Sequence, residues 1–132
     1  MSLHFPALVT LLSMLLLIAN SMAVGRARGR YQIKAPATTG HPDFERIYRV
    51  QMNTLENTVL FLPLLWLSAS YGHPALAGGL GLIWWLARVG YAVTYTRSAE
   101  RRHLSFVVGM TAMLALLALA SYGVIRMIIA GA

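Results

Sequence analysis

The stretch FERIYRVQMNTLENTVLFLPLLWL, residues 44–67, decides the fold of this chain. Its second half is apolar enough for a membrane interior, whereas its first half carries charged and amide side chains. At about 100° per residue, a helix places four of these polar residues on one stripe and a fifth on nearly the opposite side. The stripe comprises Arg46, Arg49, Asn53 and Glu56, and the fifth residue is Gln51. Ionisable groups inside a membrane are costly and usually mark function, so we expect the stripe to line a site.

A simpler interpretation of these charges stays open at this point. Arg46 and Arg49 would be anchors at the level of the lipid headgroups, and Glu56 would only pair with one of them.

Composition indicates an integral membrane protein without a separate soluble domain. Of 132 residues, 58% are hydrophobic and 11% are charged, whereas an average globular domain is about 25% charged. The net charge of +7 can indicate a nucleic-acid partner, but here the basic residues lie in short connections between apolar runs. Membrane topology and an anionic ligand explain them better, and no nucleic acid is expected.

The chain has no cysteine, which excludes disulfides, thiolate metal sites and a cysteine nucleophile. Its four histidines lie near the predicted span ends and not at metal-ligand spacing, so no metal site is expected.

The hydrophobic pattern predicts a four-transmembrane-helix bundle, all-α, as one membrane domain over residues 1–132. The predicted spans are about 5–24, 44–71, 74–97 and 104–130. No Lys or Arg precedes the first run, which argues against a cleaved signal peptide. Residues 25–42 are predicted to be a loop because they are rich in glycine, proline and arginine.

Several local features of the spans carry their own predictions. Asp43 is expected to cap the second helix, and Trp84 and Trp85 are expected to face lipid or the interface, although mid-span aromatics are also ordinary core. Glycines at 78, 79 and 81 are expected to allow close helix approach.

Charge asymmetry predicts the orientation in the membrane. The first and third connections carry almost all Lys and Arg, and the second carries none, so both basic connections should be cytoplasmic and both termini non-cytoplasmic. Arg126 is a single exception. If the third helix continued through Arg102, then Arg88, Tyr91, Tyr95 and Arg102 would share one stripe, with Arg97 facing away. This stripe and that of the second span would then meet at the cytoplasmic face.

The combined set of side chains suits a zwitterionic ligand with more than one carboxylate. The guanidinium group of an arginine can donate two parallel hydrogen bonds to a carboxylate. Glu56 is suited to pair with an ammonium group, and Asn53 is suited to bond with an amide. A nearby cation would also favour the thiolate form of a bound thiol, which is the reactive species. For Tyr91 and Tyr95, ligand contact and interfacial belting are equally open from their spacing.

Two longer motifs resemble a known family. FERIYRVQMNTLEN and ARVGYAVTYTRSAERR, together with TTGHPDFER before the second span, are similar to segments of the MAPEG family of microsomal glutathione transferases and eicosanoid-pathway proteins. The resemblance covers the whole chain and is clearest over residues 23–102.

The resemblance implies a homotrimer that binds glutathione between neighbouring subunits near the cytosolic face. One subunit would contribute Arg49, Asn53, Glu56, Tyr91 and Tyr95. The neighbour would contribute Arg28 and Gln51, and Arg102 would polarise the glutathione sulfur as the catalytic residue. Arg102 favours an enzyme over the family's non-catalytic activating protein.

One departure concerns the residue after Glu56. The eicosanoid enzymes have an aromatic residue there, and this chain has Asn57, which puts leukotriene specificity in doubt more than glutathione binding.

The expected function is a membrane-bound glutathione transferase, and also a glutathione peroxidase, acting on lipophilic electrophiles or lipid hydroperoxides. Its location would be a bacterial inner membrane, or the endoplasmic reticulum in a eukaryote. The alternatives are a non-catalytic lipid- or glutathione-binding protein and a small multidrug exporter that uses Glu56 for proton coupling; the strong charge bias of the connections argues against the exporter.

Overall fold

The computed structural model describes residues 2–98 and 102–131, which form four long helices and contain no strand. The helices are α1 (His4–Tyr31), α2 (Pro42–Leu67), α3 (Pro74–Arg97) and α4 (His103–Gly131), and a π-helical turn, Ser68–Gly72, extends α2. Short connections make successive helices run in opposite directions. The predicted all-α four-helix fold is confirmed.

Three of the four helices, α1, α3 and α4, are long and apolar enough to cross a membrane. Helix α2 has 26 residues, which corresponds to about 39 Å at 1.5 Å per residue, but its first half carries the charged residues noted above. It packs between the others, against α1, α3 and α4. Within this half of α2, Val50 and Thr54 are buried, whereas Arg49 and Glu56 are exposed in the single chain.

The main core lies where α2, α3 and α4 meet, and Trp84 is at its centre. The Trp84 side chain is 1% exposed and stacks on Phe61 with ring centroids 3.7 Å apart. Trp85 is half-buried and donates from Nε1 to the Leu12 carbonyl at 2.9 Å. The predicted lipid-facing position is therefore wrong for Trp84, which lies in the core, whereas Trp85 contacts α1 and stays partly exposed.

Small residues allow the helices to approach closely. A Cβ on Gly81 would lie 2.8 Å from Leu65 Cδ1, and a Cβ on Gly78 would lie 2.6 Å from the Phe5 ring. Gly79 faces open space, so the predicted close approach holds at two of the three glycines. On α4, Gly123 meets the π-helical turn, where an added Cβ would lie 2.4 Å from the Tyr71 carbonyl oxygen.

Helix α1 continues seven residues beyond the predicted end of its span, so the predicted loop over residues 25–42 is wrong for its first part. The extension buries Val24 and Ala27 in a small cluster with Ile33 and Phe44. This burial outweighs the cost of Gly25 and Gly29, which is about 1 kcal/mol each relative to alanine.

The start of α2 also differs from the prediction by two residues. His41 is the N-cap, and its Nδ1 accepts from the Asp43 N–H at 3.1 Å. Pro42 opens the helix, and Asp43 and Glu45 lie in the first turn, where the helix dipole favours acids.

Candidate functional site

Two guanidinium groups and two tyrosine rings stack in a continuous series along α3. We call these four side chains the cation–aromatic stack: Arg88, Tyr91, Tyr95 and Arg102. Arg88 Cζ lies 4.3 Å from the centroid of the Tyr91 ring. Tyr91 and Tyr95 stack with centroids 5.4 Å apart and planes 9° from parallel. Arg102 Cζ lies 5.3 Å from the Tyr95 centroid. The stripe predicted from helical spacing is therefore a set of direct contacts.

Arg102 reaches the stack by a route that differs from the prediction. Helix α3 does not continue through it but ends at Arg97, after which Ser98 is extended and its N–H bonds to the Thr94 carbonyl at 2.8 Å. Arg102 lies just before α4 and still covers the Tyr95 ring. Contacts between a guanidinium and an aromatic face contribute about 0.5–2 kcal/mol, so Tyr95 helps to hold Arg102 at this position.

Arg88 anchors the stack to α2. Its side chain is 3% exposed, and Nη2 donates to Asn53 Oδ1 and to Thr54 Oγ1, both at 2.8 Å. Both acceptors are neutral, and among residues 2–98 and 102–131 no carboxylate pairs with Arg88. A buried cation without a counter-charge leaves this end of the α2–α3 contact electropositive, which favours an anionic ligand.

Asn53 is held by two donors. Besides Arg88, the Asn57 side chain one turn along donates from Nδ2 to the Asn53 carbonyl at 2.9 Å and to Asn53 Oδ1 at 3.5 Å. With Oδ1 occupied as an acceptor, the Asn53 amide nitrogen is available to donate. Asn57 therefore supports Asn53 through hydrogen bonds to its backbone carbonyl and its side chain.

Two further residues of the predicted stripe, Arg49 and Glu56, lie on the same face of α2 as Asn53. Arg49 lies one turn before Asn53 and Glu56 one turn after it, and both side chains are exposed in the single chain. Through Arg88 the structure joins Asn53 to the cation–aromatic stack, and Arg49 and Glu56 lie on the same face of α2 one turn to either side of Asn53.

The simpler interpretations of these residues are decided in part. Arg46 pairs with Asp43 within the first turns of α2, so it is fixed at the helix start. In the described part of the chain, Glu56 forms no ion pair with Arg46 or Arg49, so the simple pairing is wrong. Tyr91 is 4% exposed and lies inside the bundle, which excludes interfacial belting for this ring.

Arg28 and Gln51 do not join this cluster within one chain. Arg28 Nη1 donates to the Ala37 carbonyl at 2.7 Å, and its guanidinium covers the Phe44 ring at 5.1 Å. It therefore ties the α1–α2 connection to α2. Gln51 is half-buried and, at two residues from Asn53, points to the other side of α2.

An apolar groove of about 360 Å³ runs between α2 and α4. Its α2 wall begins at Val59 and Leu60, one turn after Glu56, and includes Pro63. Its α4 wall includes Met110 and Met113. The groove is therefore continuous in sequence with the polar face, so a ligand with one polar and one apolar end would find both surfaces on α2.

Helical spacing predicts Arg88 on the α3 stripe, but the predicted ligand-binding residues do not include it. No contact between Asn57 and Asn53 is predicted from the sequence. The available signal was the apolar context of Arg88 in WWLARVG, since a charge in such a span needs internal partners. No group of three or more His, Asp or Glu side chains that could hold a metal occurs in the described ranges.

The fold and the site together define a four-helix membrane protein with an electropositive polar cluster at one end of α2 and α3. Comparison with known proteins agrees with this class. The model of the MAPEG family matches residues 6–122, and the chain belongs to this family.

Similar proteins include both uncharacterized and named members. The chain is 49% identical to an uncharacterized protein of Synechocystis sp. over 80% of its own length and 77% of that protein. It is 41% identical to leukotriene C4 synthase of Cavia porcellus over 90% and 79% of the two chains. It is 36% identical to microsomal glutathione S-transferase 2 of Homo sapiens over 74% and 67%.

Proposed function

We propose that this protein is a membrane-bound glutathione transferase that uses glutathione as its co-substrate. The observation that carries the proposal is the cation–aromatic stack, which has Arg102 at one end and, at the other, Arg88 donating to Asn53 on α2. The names of two similar proteins, leukotriene C4 synthase and microsomal glutathione S-transferase 2, support the same reaction class.

The polar cluster matches the groups of the tripeptide. Arg49 is suited to a carboxylate through a bidentate fork. Glu56 receives the γ-glutamyl ammonium group, and the Asn53 amide nitrogen, left available by Arg88 and Asn57, donates to a peptide carbonyl. Tyr91 and Tyr95 line the same side, beside the buried Arg88 charge.

We propose that a homotrimer completes the site, with Arg28 and Gln51 reaching glutathione from the neighbouring subunit. Within one chain Gln51 points away from the cluster, and Arg49 and Glu56 are exposed. A neighbour that covers this face would shield both charges from solvent and strengthen their contacts with the ligand.

Arg102 acts on the glutathione sulfur. The thiol loses its proton to water, and the guanidinium stabilises the resulting thiolate. Lowering the thiol pKa by about two units requires about 2.7 kcal/mol, which one arginine shielded from bulk water can supply. The thiolate then attacks an electrophilic carbon, the carbon–sulfur bond forms, and the leaving group departs with its electron pair.

The apolar groove between α2 and α4 receives the lipophilic substrate from the bilayer. Its start one turn from Glu56 brings an electrophile near the polar cluster. For lipid hydroperoxides, we propose that two glutathione molecules are oxidised to the disulfide while the hydroperoxide is reduced to an alcohol and water. Apolar grooves of this kind discriminate weakly among substrates.

We further propose that the protein lies in a bacterial inner membrane, surrounded by membrane lipids, with both termini non-cytoplasmic. The basic connections at the ends of α1 and α3, and the similarity to a Synechocystis protein, support this placement.

The experiment that tests the function is a titration of the purified full-length protein with glutathione, followed by incubation with a panel of electrophiles and hydroperoxides. Conjugates or glutathione disulfide, detected by mass spectrometry and suppressed by S-methylglutathione, are expected. Glutathione binding without turnover across the panel would instead indicate a non-catalytic binding protein, and absence of binding would reject the proposal.

A further inference from the structure

Pro63 changes the hydrogen bonding of α2 at the wall of the apolar groove between residues 59–64 of α2 and 110–117 of α4, which we call the α2–α4 groove. In a regular helix, each N–H donates to the carbonyl four residues earlier. Proline has no N–H, and its ring presses against that same carbonyl. The Val59 carbonyl therefore lacks its regular helical donor.

The Val59 carbonyl lies on the side of α2 that faces the groove. Residues four apart share a face of a helix, and Val59 and Pro63, which flank the carbonyl, both line the groove. Both residues are exposed, Val59 to 66%, so an occupant of the groove can reach the carbonyl oxygen. The hydroxyl nearest in sequence, that of Thr58, donates instead to the Thr54 carbonyl at 2.7 Å.

The other walls of the α2–α4 groove are apolar. In the described part of the chain, its lining side chains are those of valine, leucine, proline and methionine. Helix α4 contains no proline, so the carbonyls of its wall keep their helical donors. A carbonyl that is covered without a donor is costly, so the groove favours an occupant that brings a donor to Val59.

The position of this acceptor fixes the end of the occupant that carries the donor. Val59 is the first α2 residue of the groove and lies about 4.5 Å along the helix from Glu56, at 1.5 Å per residue. Helices α2 and α4 run in the same direction, so the groove continues from there towards Leu64 and Leu117. The donor would therefore lie at the end next to the polar cluster, with an apolar chain extending away from it.

We propose, on the basis of the transferase function, that the α2–α4 groove selects chain lipids with an O–H group beside the reacting atom. The O–H donates to the Val59 carbonyl, and the alkyl chain lies along the apolar walls. Pro63 determines this specificity because it leaves the carbonyl without a helical donor. Two kinds of lipid share this chemistry, the γ-hydroxyalkenals and the fatty hydroperoxides.

Both substrates react with the glutathione thiolate in balanced steps. With a γ-hydroxyalkenal, the thiolate adds to the β-carbon, the electron pair of the double bond moves towards the aldehyde oxygen, and the enolate takes a proton from water. With a hydroperoxide, the thiolate attacks the outer oxygen, the O–O bond breaks, and the alkoxide takes a proton from water. A second glutathione then converts the sulfenic acid into the disulfide and water.

The acceptor is tested directly by nuclear magnetic resonance. Val59–Leu60 is the only Val–Leu pair in the sequence, so ¹³C-carbonyl valine and ¹⁵N-leucine together give a single signal for the Val59 carbonyl. In full-length protein in nanodiscs, dodecanol is expected to move this signal downfield by forming the hydrogen bond. Methyl dodecyl ether, which has no donor, is expected to leave it in place. Equal shifts from both probes, or none, would overturn the proposal.

Pro63→Ala restores the missing N–H and closes the acceptor, and it removes a helix breaker, so the variant is expected to keep or gain thermal stability. The γ-hydroxyalkenal and the hydroperoxide are each compared with their O-methyl derivatives. The ratio of the two rates is expected to be about fivefold higher in the unaltered protein than in Pro63→Ala. Pro42→Ala makes the same change at the first position of α2, where no helical acceptor is lost, and should keep the ratio of the unaltered protein.

The substrate whose ratio falls in Pro63→Ala identifies the source of the O–H group. Chlorodinitrobenzene, which has neither a chain nor an O–H group, reports the transferase function separately. Its conjugation together with equal ratios in the unaltered protein and Pro63→Ala would overturn the selectivity alone. Absence of all turnover with an intact dodecanol shift would reject the transferase function and retain the binding of an O–H group at Val59.

Discussion

Arg88 Nη2 donates to Asn53 Oδ1 at 2.8 Å and thereby joins α3 to α2 at the centre of the candidate site. The contact links a buried cation on one helix to a side chain proposed to bind glutathione on the other. The buried guanidinium, 3% exposed, is met at Nη2 by an amide and a hydroxyl oxygen, while its Nε has no partner among the described residues.

Arg88→Met is expected to weaken glutathione binding about tenfold, which calorimetric titration in detergent will measure. The change removes two hydrogen bonds from a charged donor, each of which contributes about 1.5–3 kcal/mol, and it frees both Asn53 and the Tyr91 ring. Thermal stability is expected to change little, because replacing a buried charge by an apolar chain is often neutral. Arg126→Met, in the exposed last turns of α4, is the matched control. Unaltered affinity in Arg88→Met would refute the positioning role.

Glu56→Gln is expected to weaken glutathione binding about tenfold by removing the partner of the ligand ammonium group. A glutathione analogue that lacks the amino group provides the second arm of a thermodynamic cycle. It should bind the unaltered protein and Glu56→Gln with the same affinity. If Glu56→Gln weakens binding of the analogue as much as it weakens binding of glutathione, Glu56 does not contact the ammonium group.

Gly123→Ala is expected to lower the free energy of unfolding by about 1–3 kcal/mol, since an added Cβ would lie 2.4 Å from the Tyr71 carbonyl oxygen. Gly79→Ala makes the same chemical change on α3, where nothing lies within 4 Å. It is expected to be neutral or stabilising by up to about 1 kcal/mol. Unfolding in mixed detergent will compare the two, and equal effects would argue against the close approach of α4 to the π-helical turn.

Single cysteines test the proposed orientation, because the chain has none of its own. In intact bacterial cells, a membrane-impermeant maleimide is expected to label Ala75→Cys, at the exposed start of α3, and to leave Lys34→Cys unlabelled. Both positions should react after the membrane is broken. The reverse pattern would place the basic connections outside the cytoplasm.

Helical spacing was sufficient to predict which α3 residues share a face. Arg88, Tyr91 and Tyr95 recur at three- and four-residue intervals, and their side chains make contact in that order. Arg102 contacts the stack as predicted, but the predicted continuation of α3 through this residue is wrong. Periodicity would require an unbroken helix, whereas α3 ends at Arg97 and the contact with Tyr95 depends on the path of the chain.

The features that local sequence did not reveal depend on tertiary burial. The glycines and arginines of residues 25–31 indicate a loop by composition, yet Ala27 is buried near Phe44 and the helix continues. Trp84 is apolar enough for lipid, and only the facing Phe61 ring shows that it belongs to the core. Asn57 likewise has no local signal, since its role depends on the orientation of Asn53.

The most direct measurement of the central claim is ultraviolet difference absorption of glutathione bound to the purified protein, which detects the thiolate. The unaltered protein is expected to show a thiolate band at neutral pH, and Arg102→Ala is expected to lose the band and most conjugation while keeping part of its glutathione affinity. Lys34→Ala, which removes an exposed cation from the α1–α2 connection, should keep both. A thiolate band and turnover that persist in Arg102→Ala would contradict the account.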